Sequence, residues 1–581
     1  MNLLKEIGAR SNIEGVKKSE HVKKIILLAK KELEAADKLP DTSYTLFSEF
    51  QKTGVRENYE RPHFLKRRRL TAAVICALFA NEEKYIDLVN DYIVSICEET
   101  TWVWPAHGGW AEEKIDLFAT ETGLILAETI LLLDKRLPDE IVKRVKEEIN
   151  KRIFNVYLEH YRENWWYKGP QINNWAGVCN GSVGATFLYL EKNKKRLSKA
   201  IKIVLKGLKI YIDRAFEKDG GSTEGTAYWS YGLINYVVFS ELLRKRTRGK
   251  IDLLSMPIMK GIAQYPPKMM LSPGSFINFS DCGEEVGFYP GIIAKMAERT
   301  KTPELLFVLS GDDSVKSDLT RLPMVLRDIF WWDGKRRKAS EFSSANKNVY
   351  LPLAQVVKLV SKTRSGKDII VAAKAGHNAE NHNQNDVGSF ILHAGGETFL
   401  CDPGYGLYSK DYFINETRYD NIFTNSFGHS LPVINGKLQK NGRKYAGEIK
   451  FYEPGIKRVE VEFGKAYGLS GIKSINRVLC VSEDANEVIL EDSFVFEKPM
   501  KIQEAFVTWL PVRCAGNKAY ISGKKGKIEL TVNEPKGTRL SLKELKKECM
   551  ENKKEKLLRR IYFDLPAKLK ETKIKIQMEY K

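Results

Sequence analysis

Apolar residues recur three and four positions apart through most of residues 19–336, the spacing that lays one stripe of an α-helix against a core. LTAAVICALFANEEKYIDLVNDYIVSIC (70–97), KIDLFATETGLILAETILLLDKRL (114–137) and PDEIVKRVKEEINKRIFNVYLEHY (138–161) all carry it. Pro138 followed by Asp139 and Glu140 predicts a helix start, because proline suits the first turn and carboxylates favour the positive end of the helix dipole. Successive amphipathic helices with short connections predict stacked antiparallel helix pairs. Four connections have unusual chemistry: WVWPAHGGW (102–110), WWYKGPQINNWAGVCNG (165–181), DGGSTEGTAYWSYG (219–232) and FSDCGEEVGFYPG (279–291). If the helices form a ring, these loops line one end of it.

After a charged, serine-rich segment, GKRRKASEFSSANK (334–347), the period changes to two. VYLPLAQVVKLVSK (349–362), KDIIVAAKA (367–375), NEVILEDSFVF (486–496), KIELTV (527–532) and KIKIQMEY (573–580) alternate apolar and polar residues between Gly, Asn and Asp turns. That pattern predicts an antiparallel β-sandwich or layered sheet. The expected organisation is therefore a helical domain over 1–336, a linker over 337–348 and a β domain over 349–581. Within the β half, 387–400 reads as one strand leading into the turn Asp402, Pro403, Gly404, and the basic stretch 541–560 reads as an inserted helix.

A chain of 581 residues is too long for one hydrophobic core, which agrees with more than one domain. Its 10 Trp, 25 Tyr and 26 Phe exceed what packing usually requires and suit stacking against sugar rings. The net charge of +20 favours a polyanionic partner; charge alone admits nucleic acid or acidic polysaccharide, and lysine-rich helical runs such as 192–206 and 543–560 also fit solvated faces. The first residues hold no apolar core with a small-residue cleavage site, and no run of 18 apolar residues occurs anywhere. The expectation is a cytoplasmic protein with no membrane partner. Cys76, Cys97, Cys179, Cys282, Cys401, Cys480, Cys514 and Cys549 are scattered without a CxxC pair, as reduced thiols would be.

The sequence has no GxxxxGK[ST] phosphate loop, no HExxH helix and no GxSxG elbow. Carboxylates such as Asp219, Glu224, Glu284 and Glu285 keep glycoside hydrolysis open. The loops are nevertheless richer in Asn, Tyr and His than in carboxylates. Four of the eight histidines, His377, His382, His393 and His429, fall in a short stretch of the β half. This balance suits a reaction in which the substrate carries the acid: β-elimination of a uronic-acid polymer. There, amide or imidazole donors neutralise the sugar carboxylate, a base removes the adjacent proton, and an acid protonates the departing oxygen.

NNWAGVCNG, DGGSTEGTAYWSYG, HNAENHNQNDVGSF, the DPGY turn and SFGHS occur in an order and spacing that resembles the heparinase II/III-like polysaccharide lyases. The resemblance implies an incomplete (α/α) toroid followed by an antiparallel β-sandwich. It implies Asn174 as the carboxylate-neutralising amide, Tyr228 as the catalytic tyrosine and His382 as a second neutralising group or base. It also implies one divalent metal, with zinc as the family's ion, at positions that here are Gln384, Asp402 and His429; Gln384 is a departure, since a neutral amide oxygen is a poorer zinc ligand than imidazole. No organic cofactor is expected. The residues themselves nominate His107, Trp104, Trp110, Glu224, Tyr231, His377, Tyr405 and Arg418 as substrate contacts. The expected activity is elimination on a uronic-acid-containing acidic polysaccharide or oligosaccharide such as heparin, heparan sulfate or alginate, with a glycosaminoglycan favoured, exo action and no nucleic-acid partner. An (α/α)-toroid glycoside hydrolase and a non-catalytic polyanion-binding protein remain alternatives.

Overall fold

A computed structural model describes residues 3–9, 11–36, 38–80, 82–110, 114–169, 172–311, 315, 318–482 and 486–581. The chain divides into two compact units. The first comprises Met1–Phe216, Tyr228–Gln264 and Gly287–Arg337, and the second comprises Glu217–Ala227, Tyr265–Val286 and Lys338–Lys581. Two segments inside the helical run thus fold with the β half.

The first unit is an α/α toroid of paired helices. Leu117–Leu133 and Asn174–Leu190 are buried along nearly their whole length, so they form the inner layer. Glu83–Cys97 and Lys194–Ala215 bury one apolar stripe each and turn the other face to water, as outer helices do. The run 138–161 is not one regular helix. Asp139–Ile149 continues through a π-helical turn, Asn150–Asn155, into Val156–His160, with Pro138 at the N-cap. Glycines set a close contact between two of these helices. A Cβ on Gly177 would collide with the backbone oxygen of Gly232, and one on Gly232 would lie 3.1 Å from Asn174 Cα. Asn174–Leu190 and Thr226–Arg246 therefore meet backbone to backbone near their first turns, which carry Asn174 and Tyr228.

The second unit is built from antiparallel sheets of nine, five and four strands plus a two-stranded hairpin, Met270–Ser272 with Ser275–Phe276. Alternation decides the core: Val357, Leu359, Ile369, Val371, Phe390 and Leu392 of the five-stranded sheet pack with Val459, Val461, Leu479, Leu490, Leu530 and Ile576 of the nine-stranded sheet. Two sequence expectations need correction. Residues 387–400 form a hairpin, Phe390–Ala394 and Glu397–Leu400, because Gly395 and Gly396 take positive φ (59° and 84°) and turn the chain. Residues 541–560 hold only a short helix, Lys546–Glu551, between strands Ser541–Glu544 and Arg559–Asp564. The expected linker 337–348 contains the helix Ala339–Ala345. All eight cysteines are free thiols, and among the described residues no helix is long and apolar enough to cross a membrane.

Candidate active site

His382 stands in a cage built from three segments of the second unit. Its φ is +56° and that of Ser280 is +71°, a left-handed conformation that side chains other than glycine seldom adopt without support. The support is mutual, since Asp281 N donates to His382 O at 3.2 Å. The ring is then held from both sides: Nδ1 lies 3.2 Å from Asp281 Oδ2, and Nε2 lies 3.7 Å from Glu224 Oε2, with 14% of the side chain exposed. Glu224 reaches this place because its loop presses on the Asp281 loop; a Cβ on Gly225, at φ 83°, would sit 3.0 Å from Phe279 O. A carboxylate can only accept, so the nitrogen facing Asp281, Nδ1, carries a hydrogen, while Nε2 faces Glu224.

Asp281 is the hub of the cage. Buried, it accepts from Tyr412 Oη at 2.6 Å, Arg418 Nη2 at 2.9 Å and Gln384 Nε2 at 3.3 Å besides facing His382. Burial by itself raises its pKa, but the His382 hydrogen bond and the Arg418 charge outweigh that and hold it below the ordinary carboxylate range. Arg418 braces this hub: Nε and Nη2 donate to Asn383 O, Nη1 donates to Tyr412 O, and the guanidinium lies 4.4 Å over the Tyr412 ring.

Beside the cage, Asp386, Asp402 and His429 form a buried cluster whose ligand atoms lie within 4.8 Å of one another. His429 Nδ1 is 3.3 Å from Asp402 Oδ2, yet Asp386 Oδ2, Asp402 Oδ2 and both His429 ring nitrogens have no hydrogen-bond partner. Buried polar atoms are rarely left so, and two carboxylate oxygens with an imidazole nitrogen fit a divalent cation. Asp386 also receives Lys374 Nζ at 2.6 Å, and burial raises its pKa while Lys374 opposes the rise. The sequence assignment missed Asp386. Gln384 uses Nε2 to bond Ser280 O, Asp281 and Gly404 O, which leaves only its buried, unbonded Oε1 to offer a metal. The HNQND spacing, with Gln384 and Asp386 two apart, was the available signal.

In the first unit, Asn174 opens the helix Asn174–Leu190 and is buried, while the capping bond belongs to its neighbour: Asn173 Oδ1 accepts from Trp175 N at 3.0 Å. Tyr228 is half-buried; the anchor of its helix is Trp229, whose Nε1 donates to Ile262 O at 2.9 Å. His107 Nδ1 pairs with Asp116 at 2.8 Å, and its ring meets Trp175 edge-on at 4.6 Å, with Trp165 a further 5.0 Å from Trp175. Trp165 is 46% exposed, so the sugar-stacking candidates extend to Trp165 and Trp175, which the WWYKGPQINNW loop already signalled. Trp104 is a packing residue. Phe118 stacks on it at 3.5 Å and Arg56 lies 5.6 Å over its ring, leaving no face for a sugar. Trp110 is half-buried against Tyr44 and Phe47. Tyr231, partly buried, donates its hydroxyl to Glu121 at 3.3 Å beneath Arg321.

The remaining candidates lie in the second unit. His377, on the edge strand Gly376–Asn378, pairs through Nε2 with Glu380 at 3.1 Å; burial and then Arg443 lower its pKa. Tyr405 is 42% exposed beneath Lys554, 4.6 Å from the ring. Asn174 and Tyr228 belong to one unit and His382 with Glu224 to the other.

No protein-family model matches the chain, and no curated protein sequence matches it. Solved structures do. Heparinase III matches over 100% of this chain and 94% of its own at TM-score 0.63 and 13% identity. A mutant heparan sulfate lyase from Pedobacter heparinus matches over 99% and 92% at TM-score 0.58 and 14% identity. A mutant chondroitin AC lyase from Streptomyces coelicolor matches over 99% and 81% at TM-score 0.54 and 11% identity. The chain thus shares the fold of these polysaccharide lyases, an α/α toroid followed by antiparallel β-sheets.

Proposed function

We propose that this protein is a polysaccharide lyase that cleaves a uronic-acid-containing acidic polysaccharide or oligosaccharide by β-elimination, with a sulfated glycosaminoglycan as the favoured substrate and exo action. The observation that carries this reading is the His382 cage. A buried hub fixes one imidazole between Asp281 and Glu224, and the sequence motifs that resemble the lyases supply the amide and the phenol that elimination needs. Asn174 donates to the substrate carboxylate and makes the neighbouring C–H acidic. Tyr228 or His382 takes that proton, according to the epimer bound; the electron pair forms the C=C bond, the glycosidic C–O bond breaks, and Tyr228 returns a proton to the departing oxygen. Glu224, on the far side of His382, orients the ring or a sugar hydroxyl. Asp386, Asp402 and His429, with Gln384 Oε1, would hold a divalent cation, which when bound would supply positive charge beside the cage.

Nothing favours the hydrolase alternative. Glu284 accepts from Ser275 and Thr398, both at 2.6 Å, and Asp219 holds the amides of Gly221 and Leu353, so these carboxylates serve local structure. The test is a panel of heparin, heparan sulfate, chondroitin, hyaluronan and alginate fragments followed by ultraviolet absorbance and product mass. Unsaturated ends without added water are expected. Saturated products carrying an added water would mean hydrolysis, and no product from any polyuronide would sink the lyase reading.

A further inference from the structure

A second feature, on the outer layer of the first unit, carries its own reading. The outer helix Lys194–Ala215 buries Ala200, Val204, Leu208 and Tyr211, and its exposed face presents Lys195, Lys199, Lys202, Lys206 and Lys209 at alternating steps of four and three. That spacing stacks them in one row; 195 to 206 spans roughly 16 Å at about 1.5 Å per residue. Between its two ends the helix has one carboxylate, Asp213, and Lys209 takes it at 2.5 Å. Glu191, just before the helix, is taken by Arg196. Lys194, Lys195, Lys199, Lys202 and Lys206 have no ion pair among the described residues. Like charges at these spacings repel and weaken a helix. Other surface helices of the unit avoid the conflict with internal pairs such as Lys23–Glu20 and Arg144–Glu148.

The row is also one wall of a cavity. Lys194, Lys195, Ser198, Lys199 and Lys202 line an open groove of about 560 Å³ together with Ile203 and Tyr161. Arg162 Nε donates to Tyr161 Oη at 2.8 Å, which places another cation beside the groove. A concave, lysine-lined wall with one aromatic ring and a hydroxyl matches an extended, densely anionic chain that offers sugar faces and hydroxyls as well as charge. A single-stranded nucleic acid would want several stacking rings, and bidentate phosphate recognition would want arginines; the groove wall has one ring and lysine point charges.

We infer that this groove is an accessory site that holds an acidic polysaccharide outside the catalytic cage, retaining long chains near the enzyme between turnovers. The choice of ligand rests on the lyase reading, whereas the anion-binding property of the groove does not. The test compares the full-length protein with Lys199→Glu/Lys202→Glu and with a control of equal charge change on exposed strand positions, Lys570→Glu/Lys573→Glu. The groove variant sets one new carboxylate four residues after Lys195 and the other four residues before Lys206, spacings at which opposite charges attract on a helix, so folding is expected to hold. Thermal melting checks it. On immobilised heparin the groove variant should elute at lower salt than both other proteins, with the slope of log K against log salt shallower by about two. Its preference for a long chain over a tetrasaccharide, as a ratio of kcat/KM values, should fall several-fold. Equal elution of the groove variant and the control overturns the site. A larger loss of retention on single-stranded DNA than on heparin also overturns it, in favour of a nucleic-acid groove. If no polyuronide is cleaved by the unmodified protein, the lyase reading falls while the retention comparison still decides the groove.

Discussion

Asp281 shows how much one buried carboxylate can decide. It faces His382 Nδ1, and Tyr412 and Arg418 prevent it from turning away. Asp281→Asn keeps the shape but puts an amide where only an acceptor serves, so His382 adopts the other tautomer. The expected result is a fall in kcat on the order of a hundredfold or more with little change in KM, by the logic of histidine–carboxylate pairs in general. A mutant whose kcat matches the parent would remove Asp281 from the mechanism. Tyr228→Phe should abolish turnover and leave substrate affinity within about twofold, read by steady-state kinetics beside equilibrium binding. A third residue, His393, speaks to stability. It is buried, shares a hydrogen with Thr398 at 2.9 Å, and burial, aided by Lys525, pushes its pKa down to about 3. The unfolded imidazole, with its ordinary value near 6.5, takes up a proton that the folded one refuses. Its stabilising contribution is therefore complete above about pH 6.5 and is lost as pH falls toward 3, at up to ~1.4 kcal/mol per unit. His393→Gln should flatten the acid limb of a denaturation-midpoint profile; an unchanged limb would rule His393 out as its cause. Of these residues, Tyr228 and His382 were legible from motif order. Asp281 was not, because its partners lie 101, 131 and 137 residues away.

Among elements, periodicity did well where an element touches one kind of neighbour. Outer helices and half-buried strands write period 3.6 or 2 into the sequence because one face meets water. The run 541–560 misled because its charge suggested a solvated helix, whereas Arg559–Asp564 pairs with the strand Ile502–Thr508. Within 387–400 the glycine pair Gly395–Gly396 was the signal for a turn, and their positive φ makes it a hairpin. Helix spacing matters for the site at Gly177 and Gly232. Gly177→Ala would force apart the helices that present Asn174 and Tyr228, at a cost of about 1–3 kcal/mol. Thermal melting should show a lower midpoint, and kcat should fall more than overpacking elsewhere would cause. A variant with parental melting and kcat would show that the two helices can separate freely.

At the scale of the molecule, the second unit gathers distant segments around the Asp386–Asp402–His429 cluster, and a bound cation would stabilise only the folded arrangement. Chelation should lower the melting temperature, by an amount worth about 2.7 kcal/mol if the free ion stood at a hundred times its Kd. Asp386→Asn should make melting insensitive to chelator. Equal chelator sensitivity in parent and mutant would place the ion elsewhere, and add-back of calcium or zinc would identify the preferred ion by which restores the midpoint. Sequence by itself determined the order of helices and then strands, their amphipathic faces, and the motifs carrying Asn174, Tyr228, His382, Asp402 and His429, because these follow from neighbours a few residues apart. Only tertiary structure decided that the 219–227 and 265–286 segments fold with the β half, that Asp281 clamps His382, that Arg418 braces that clamp, and that Asp386 joins Asp402 and His429 in one buried cluster. Each of those depends on which distant carboxylates and cations are buried together, and burial is a property of the assembled core.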